Sequence, residues 1–170
     1  MNKVLLIGPL SPPINGVSVC NDKIIAKKET SFQVKYINTA DALFSEKLGS
    51  FSIKKVAKTI KQYVFIYKII PVNIIYITIG QTFFGVIKYL PFLLFSKILG
   101  KKRVIHIHGN YLKTEFDRLK GFKRTLFKFT IKLANSGIVL SESLKHNLTP
   151  FLKEKHIHVL PNFVDEEIFN

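Results

Sequence analysis

Cysteine is nearly absent from this chain. One residue, Cys20, stands in 170, so no internal disulfide can form. That excludes a disulfide-stapled scaffold and fits a reducing, cytoplasmic setting. Acidic residues are scarce too: 11 Asp and Glu face 26 Lys and Arg, for a net charge of +15. An excess of this size points to an anionic partner such as a phosphorylated ligand, an acidic membrane surface or nucleic acid. No uninterrupted apolar run reaches the roughly 20 residues of a membrane span. The strongest one, Phe83 to Leu99, is broken by Lys88, Pro91 and Lys97, and reads as a buried or surface-docking helix. A secretory leader is not expected either, since Lys3 precedes just Val4 to Ile7 and then Gly-Pro. Internal repeats and low-complexity tracts are lacking.

What is present is a periodicity that alternates between strand and helix. "KVLLIG" (3–8) is continuous apolar sequence, as in a strand covered on both faces. A helix is expected over 17–28 and a strand over 32–38. Residues 40–50 carry no clear pattern. Ser52 can cap a long helix over 53–70, stopped by Pro71. A strand follows at 73–79, a helix at 83–99 closed by Gly100, and a strand at 103–109. Then come a basic helix at 122–134, a strand at 137–141, a helix at 142–152 and a strand at 156–162. At 47% hydrophobic residues the chain can bury one core, so a single domain is expected. Repeated β-α units predict an α/β, Rossmann-like, doubly wound parallel sheet of about six strands with helices on both faces. Ligands in such folds sit at the carboxyl ends of strands. That rule selects the loop after Ile7, the "HGNY" after Ile107 and the "SES" after Leu140.

The loop "GPLSPPINGV" (8–17) lacks both standard phosphate signatures. G-x-G-x-x-G fails, because Gly8 and Gly16 are the loop's two glycines, and no lysine follows Gly16 as a P-loop requires. Asn15 and Gly16 both tolerate positive φ. Their amides, at a helix N-terminus, can face an anion; equally, the loop can be a stiff connection.

Histidine occurs in two H-x-H pairs, His106/His108 and His156/His158. Alternation puts each pair on one strand face. Imidazoles can bind zinc, but no carboxylate completes either pair, so no metal is expected. His106 reads as a structural strand residue, and His108 sits at the strand's end beside Gly109. Glu142 in "SES" opens a helix, where it favours the helix dipole or contacts an acceptor. Two basic rows stand at helical spacing: Lys54, Lys58, Lys61, Lys68, and Lys120, Arg124, Lys128, Lys132 opposite Phe122, Leu126, Phe129 and Leu133. Each is a solvated face or a surface for anionic lipid.

Three segments carry a resemblance. "PPINGVSV" resembles the PP-x-x-G-G-[VI] loop of the family four glycosyltransferases, two-domain enzymes of the GT-B type. "RVIHIHGN" resembles their strand-four V-x-x-x-H-G signature. "VLPNFVDEEIF" (159–169) resembles the segment closing their N-terminal domain. Order and spacing agree along the whole chain. The resemblance implies that residues 1–170 are the N-terminal, acceptor-side domain of a retaining, metal-independent transferase. Such an enzyme moves sugar from a nucleotide diphosphate sugar to a hydroxyl, on a sugar or glycolipid acceptor, as in lipid-linked or cell-surface polysaccharide synthesis at the inner face of a membrane. It implies His108 as the catalytic contact and Asn15, Gly16, Val17, Gly109 and Glu142 as substrate contacts. It also implies a separate donor domain beyond residue 170, without which this half is inactive. Two positions depart from the pattern: Asn15 replaces the first loop glycine, and Phe163 replaces a glycine. The rival readings are a basic Rossmann-like nucleic-acid module, for which no motif is present, and a degenerate, non-catalytic homologue.

Overall fold

The computed structural model describes residues 2–27, 31–40 and 59–161. Six strands form one parallel sheet in the order β2-β1-β3-β4-β5-β6. They are β1 (Asn2–Gly8), β2 (Phe32–Asn38), β3 (Ile74–Thr78), β4 (Lys102–His106), β5 (Ser136–Val139) and β6 (Ile157–Val159). The expected α/β, doubly wound sheet is therefore what the sequence builds. β1 sits inside, paired with β2 on one side and β3 on the other, which is why Leu5, Leu6 and Ile7 are all fully buried.

Direction of travel across the sheet decides where the helices lie. The β1-to-β2 step runs one way and every later step runs the other, so right-handed crossovers put α1 (Gly16–Ala26) on one face and the later helices on the opposite face. Side-chain contacts agree. Asn21 of α1 reaches Thr78. On the other face Leu5, Ile7, Ile75, Ile77, Ile105 and Ile107 share one cluster with Tyr89, Phe92, Phe127 and Ile131. Burying each large side chain there is worth about 1.5–3 kcal/mol.

Four helical expectations need correction. The 83–99 helix is two, α2 (Phe83–Ile87) and α3 (Leu90–Ile98), with a turn at Lys88 and Tyr89. Pro91 has no N–H to give to Ile87, so it stands in the first turn of a new helix, where that bond is not needed. A helix absent from the sequence reading, α4 (Leu112–Arg118), follows β4. The stretch after β5 is a 3₁₀ helix, Glu142–Asn147, and not an α-helix to 152. In α5 (Gly121–Lys132) the buried stripe is Phe127, Thr130 and Ile131. Phe127 lies against the rings of Phe116 and Phe151, at 6.1 Å from each, and those two meet edge-on at 4.8 Å. Of the stripe chosen from sequence, Phe122 and Phe129 turn outward, Leu126 is half-buried and Leu133 is buried.

The helix expected over 53–70 is described from residue 59: it is α-helical over 59–63 and 3₁₀ over Val64–Ile69, ending before Pro71 as expected. Its cap Ser52, with Lys54 and Lys58, lies outside the described residues, as do the 40–50 stretch beyond Ala40 and the closing segment from Asn162, Phe163 included. Among the described residues no helix is long and apolar enough to cross a membrane.

Candidate functional site

Parallel strands bring the loop after β1, the "QT" after β3, the "HGNY" after β4 and the "SES" after β5 to one edge of the sheet. β3 separates β1 from β4, so the ends of those two strands stand about 10 Å apart by strand spacing. The reversal of direction falls between β1 and β3, where folds of this kind open a crevice.

The first loop is held by side chains. Asn21 Nδ2 donates to Pro9 O (2.8 Å). Leu10 N–H donates to Asn38 Oδ1 (3.1 Å) and Ser11 N–H to Asp22 Oδ2 (3.2 Å). Ser18 Oγ donates to Pro13 O (2.9 Å). The positive φ expected at Asn15 and Gly16 does not occur. Asn15 is extended (φ −152°) and caps α1. The positive-φ glycines among the described residues are Gly100 and Gly121. Asn15 Oδ1 accepts the N–H groups of Val17 and Ser18, both at 3.0 Å, while Asn15 N–H donates to Ser18 Oγ (2.9 Å). Asn15 and Ser18 thus form a reciprocal capping box. It takes up the Asn15 amide, one of the two proposed for an anion. Gly16 is different: it is exposed at the first turn, and a Cβ there would meet nothing within 4 Å.

His106 and His108 share a sheet face with Tyr76 and Thr78, by the Thr78–His106 register. Their rings lie 4.0 Å apart. Tyr76 Oη and His106 Nδ1 form a short hydrogen bond of 2.5 Å. Burial, then the neighbouring His108, pulls the His106 pKa down to about 3. Burial also lowers that of His108 and raises that of the Tyr76 phenol, as does nearby Cys20. Near neutral pH the group therefore consists of neutral imidazoles and a protonated phenol.

Three buried polar atoms here have no hydrogen-bond partner: His106 Nε2, His108 Nε2 and Asn21 Oδ1. Asn21 Nδ2 donates to Thr78 Oγ1 (3.0 Å), which joins all three to one patch spanning α1, β3 and β4. Each unsatisfied group costs about 1–3 kcal/mol. Among the described residues no three of His, Cys, Asp and Glu converge as a metal set.

Sequence reading missed Asn21, Thr78 and Gln81. Asn21 looked like one more polar residue in an amphipathic helix. Gln81 Oε1 accepts the N–H groups of Tyr111 (2.5 Å) and Leu112 (3.2 Å). A Cβ on Gly109 would meet the end of the Gln81 side chain, which would have to move aside. Nearby, a cavity of about 370 Å³ is lined by Phe83, Phe84, Tyr111, Glu115 and Lys123. Glu142 is exposed and pairs with Lys145 at 2.8 Å. Ser141 makes no capping bond to that helix.

No family model matches the chain, and no curated protein matches it. Among solved structures it is similar to UDP-N-acetylglucosamine 2-epimerase from Rickettsia bellii, with 10% identity and a TM-score of 0.49, over 95% of this chain and 45% of that one. It is also similar to a UDP-glucosyltransferase from Polygonum tinctorium capable of glucosylating indoxyl, with 10% identity and a TM-score of 0.44, over 94% of this chain and 51% of that one. The chain thus spans about half the length of each. At this identity neither likeness assigns an activity.

Proposed function

We propose that this chain is the acceptor-side half of a two-domain, nucleotide-sugar-dependent glycosyltransferase of the family four kind, working at the cytoplasmic face of a membrane. The observation that carries the reading is the unpartnered, buried Nε2 of His108 at the carboxyl edge of the sheet, beside the switch of strand direction. The sequence resemblance gives that atom its role: it hydrogen-bonds the transferred sugar or the leaving-group region and stabilises developing charge. A neutral imidazole suits that task, since it can donate or accept without adding a buried charge. Gly16 leaves the start of α1 open for close approach, and Val17 lies beside it. The aromatic cavity of Phe83, Phe84 and Tyr111 provides ring faces for the acceptor. The donor is a nucleotide diphosphate sugar, held mainly by a second domain, and no metal takes part.

Titration followed by NMR tests this. Nucleotide sugars and a panel of acceptor glycans are added separately to the chain, and the His108 imidazole and Gly16 amide are observed. Shifts at both, with millimolar donor affinity and no transfer by this chain alone, are expected. Silence at both positions with every sugar sinks the proposal. Micromolar donor binding moves the donor site into this half.

A further inference from the structure

The helical layer on one face of the sheet carries two apolar stripes that no described residue covers. On α5, Phe122 is 78% and Phe129 45% exposed. Their spacing of seven residues puts them on one side of the helix, and the exposed Lys128 and Lys132 flank them. In the segment 59–69 the exposed residues Ile60, Val64 and Tyr67 stand at i, i+4 and i+7 beside Lys61. Both elements pack through their other sides into the same core, by Phe127 and Ile131 in one case and Ile69 in the other. Both stripes therefore belong to one helical layer.

Charge around the first stripe has one sign. Residues 112–132 hold seven Lys and Arg against two acids. Both acids are engaged: Asp117 with Lys113 at 2.5 Å and Arg124 at 3.9 Å, and Glu115 Oε1 with the Phe83 N–H at 2.8 Å. Arg124 itself lies over the Phe116 ring, so the outward charge comes from Lys120, Lys123, Lys128 and Lys132. Bare phenylalanines framed by lysines on a helix exterior match an anionic bilayer interface, where rings enter the acyl boundary and ammonium groups stay with the headgroups. They do not match a nucleic-acid platform, which stacks bases on aromatics along a positively charged groove.

We propose that the outer face of α5, led by Phe122 and Phe129, seats the protein on anionic phospholipid bilayers. Co-sedimentation tests it, with vesicles of mixed phosphatidylglycerol and phosphatidylcholine against vesicles of phosphatidylcholine alone. Binding to the anionic vesicles, weakened by salt, is expected. Phe122→Ser with Phe129→Ser weakens it at least about a hundredfold, by the worth of two buried rings, while the thermal melt stays unchanged because both rings are exposed. Lys128→Gln with Lys132→Gln weakens it roughly twenty-five-fold, at about fivefold per lysine. The assignment is overturned by absence of binding at low salt, by equal binding of the Phe122/Phe129 variant, or by full competition from duplex DNA. A dimer that Phe122→Ser dissolves, without vesicle binding, also overturns it. None of these readouts depends on sugar transfer.

Discussion

The imidazole rings of His106 and His108 lie 4.0 Å apart between centroids and are tilted by 40°, yet they have different supports. Tyr76 holds the first, and that ring is almost wholly buried. The second stands two residues further on, half-buried, with Nε2 unpartnered. Removing each should have a different effect. His106→Ala strands the Tyr76 hydroxyl and opens a hole, so a loss of about 1–3 kcal/mol is expected, read as a Tm several degrees lower. His108→Ala should melt close to the parent and lower turnover about 10²–10³-fold in a transfer-competent preparation. Wild-type turnover in that variant would remove His108 from the site.

Acid should weaken the fold through His106. Its folded pKa, about 3, lies below the unfolded value, so the unfolded chain takes up the proton first as pH falls. Stability is therefore full above about pH 6.5, declines by up to about 1.4 kcal/mol per pH unit, and levels off near the folded value. His108, shifted the same way, adds to the upper part of that slope. Thermal melts from pH 7.5 to 4 check this. A His106→Gln variant should show a shallower dependence, and a Tm independent of pH in the parent protein would contradict the assignment.

Gly16 separates a packing role from a binding role. A methyl group there meets no atom and no positive φ forbids it. Gly16→Ala should hold or raise the Tm, by about 0.5–1 kcal/mol of helix preference. If sugar or phosphate approaches the start of α1, the same variant loses affinity despite its stability. Unchanged affinity would reduce the loop to a connection.

Gly8→Ala should act in the opposite way. Its Cβ would overlap Thr78 Oγ1 and crowd Asn21 Nδ2, two atoms that bond each other across the patch. Overpacking of this kind costs about 1–3 kcal/mol. A circular-dichroism melt that matches the parent would show that Thr78 can turn aside at little cost.

The sheet was legible because β1, β3 and β4 are short apolar runs bounded by Gly, Pro or Asn, and because strand and helix periods differ sharply. The break at Pro91 was visible as a proline but was read as an interruption, since a run of 17 apolar-rich residues fits one helix as well as two. In α5, sequence offered two apolar stripes. The choice between them depended on Phe116 and Phe151, which are distant in the chain or on an unforeseen helix. His108 could be placed from its strand end. Asn21, Thr78 and Gln81 could not, because their importance comes from contacts spanning 57 and about 30 residues of sequence.

The proline-rich loop after β1 has its backbone secured to Asn38, Asp22, Asn21 and Ser18 before anything binds. Ordering a free loop is an entropic charge on association, about 0.5–1.5 kcal/mol for each rotamer-rich side chain it immobilises. Here that cost has already been met in folding. A partner reaching this edge of the sheet docks on a set surface, so calorimetry of binding at the loop should return little unfavourable conformational entropy, and association should proceed in one kinetic phase with no slow closing step.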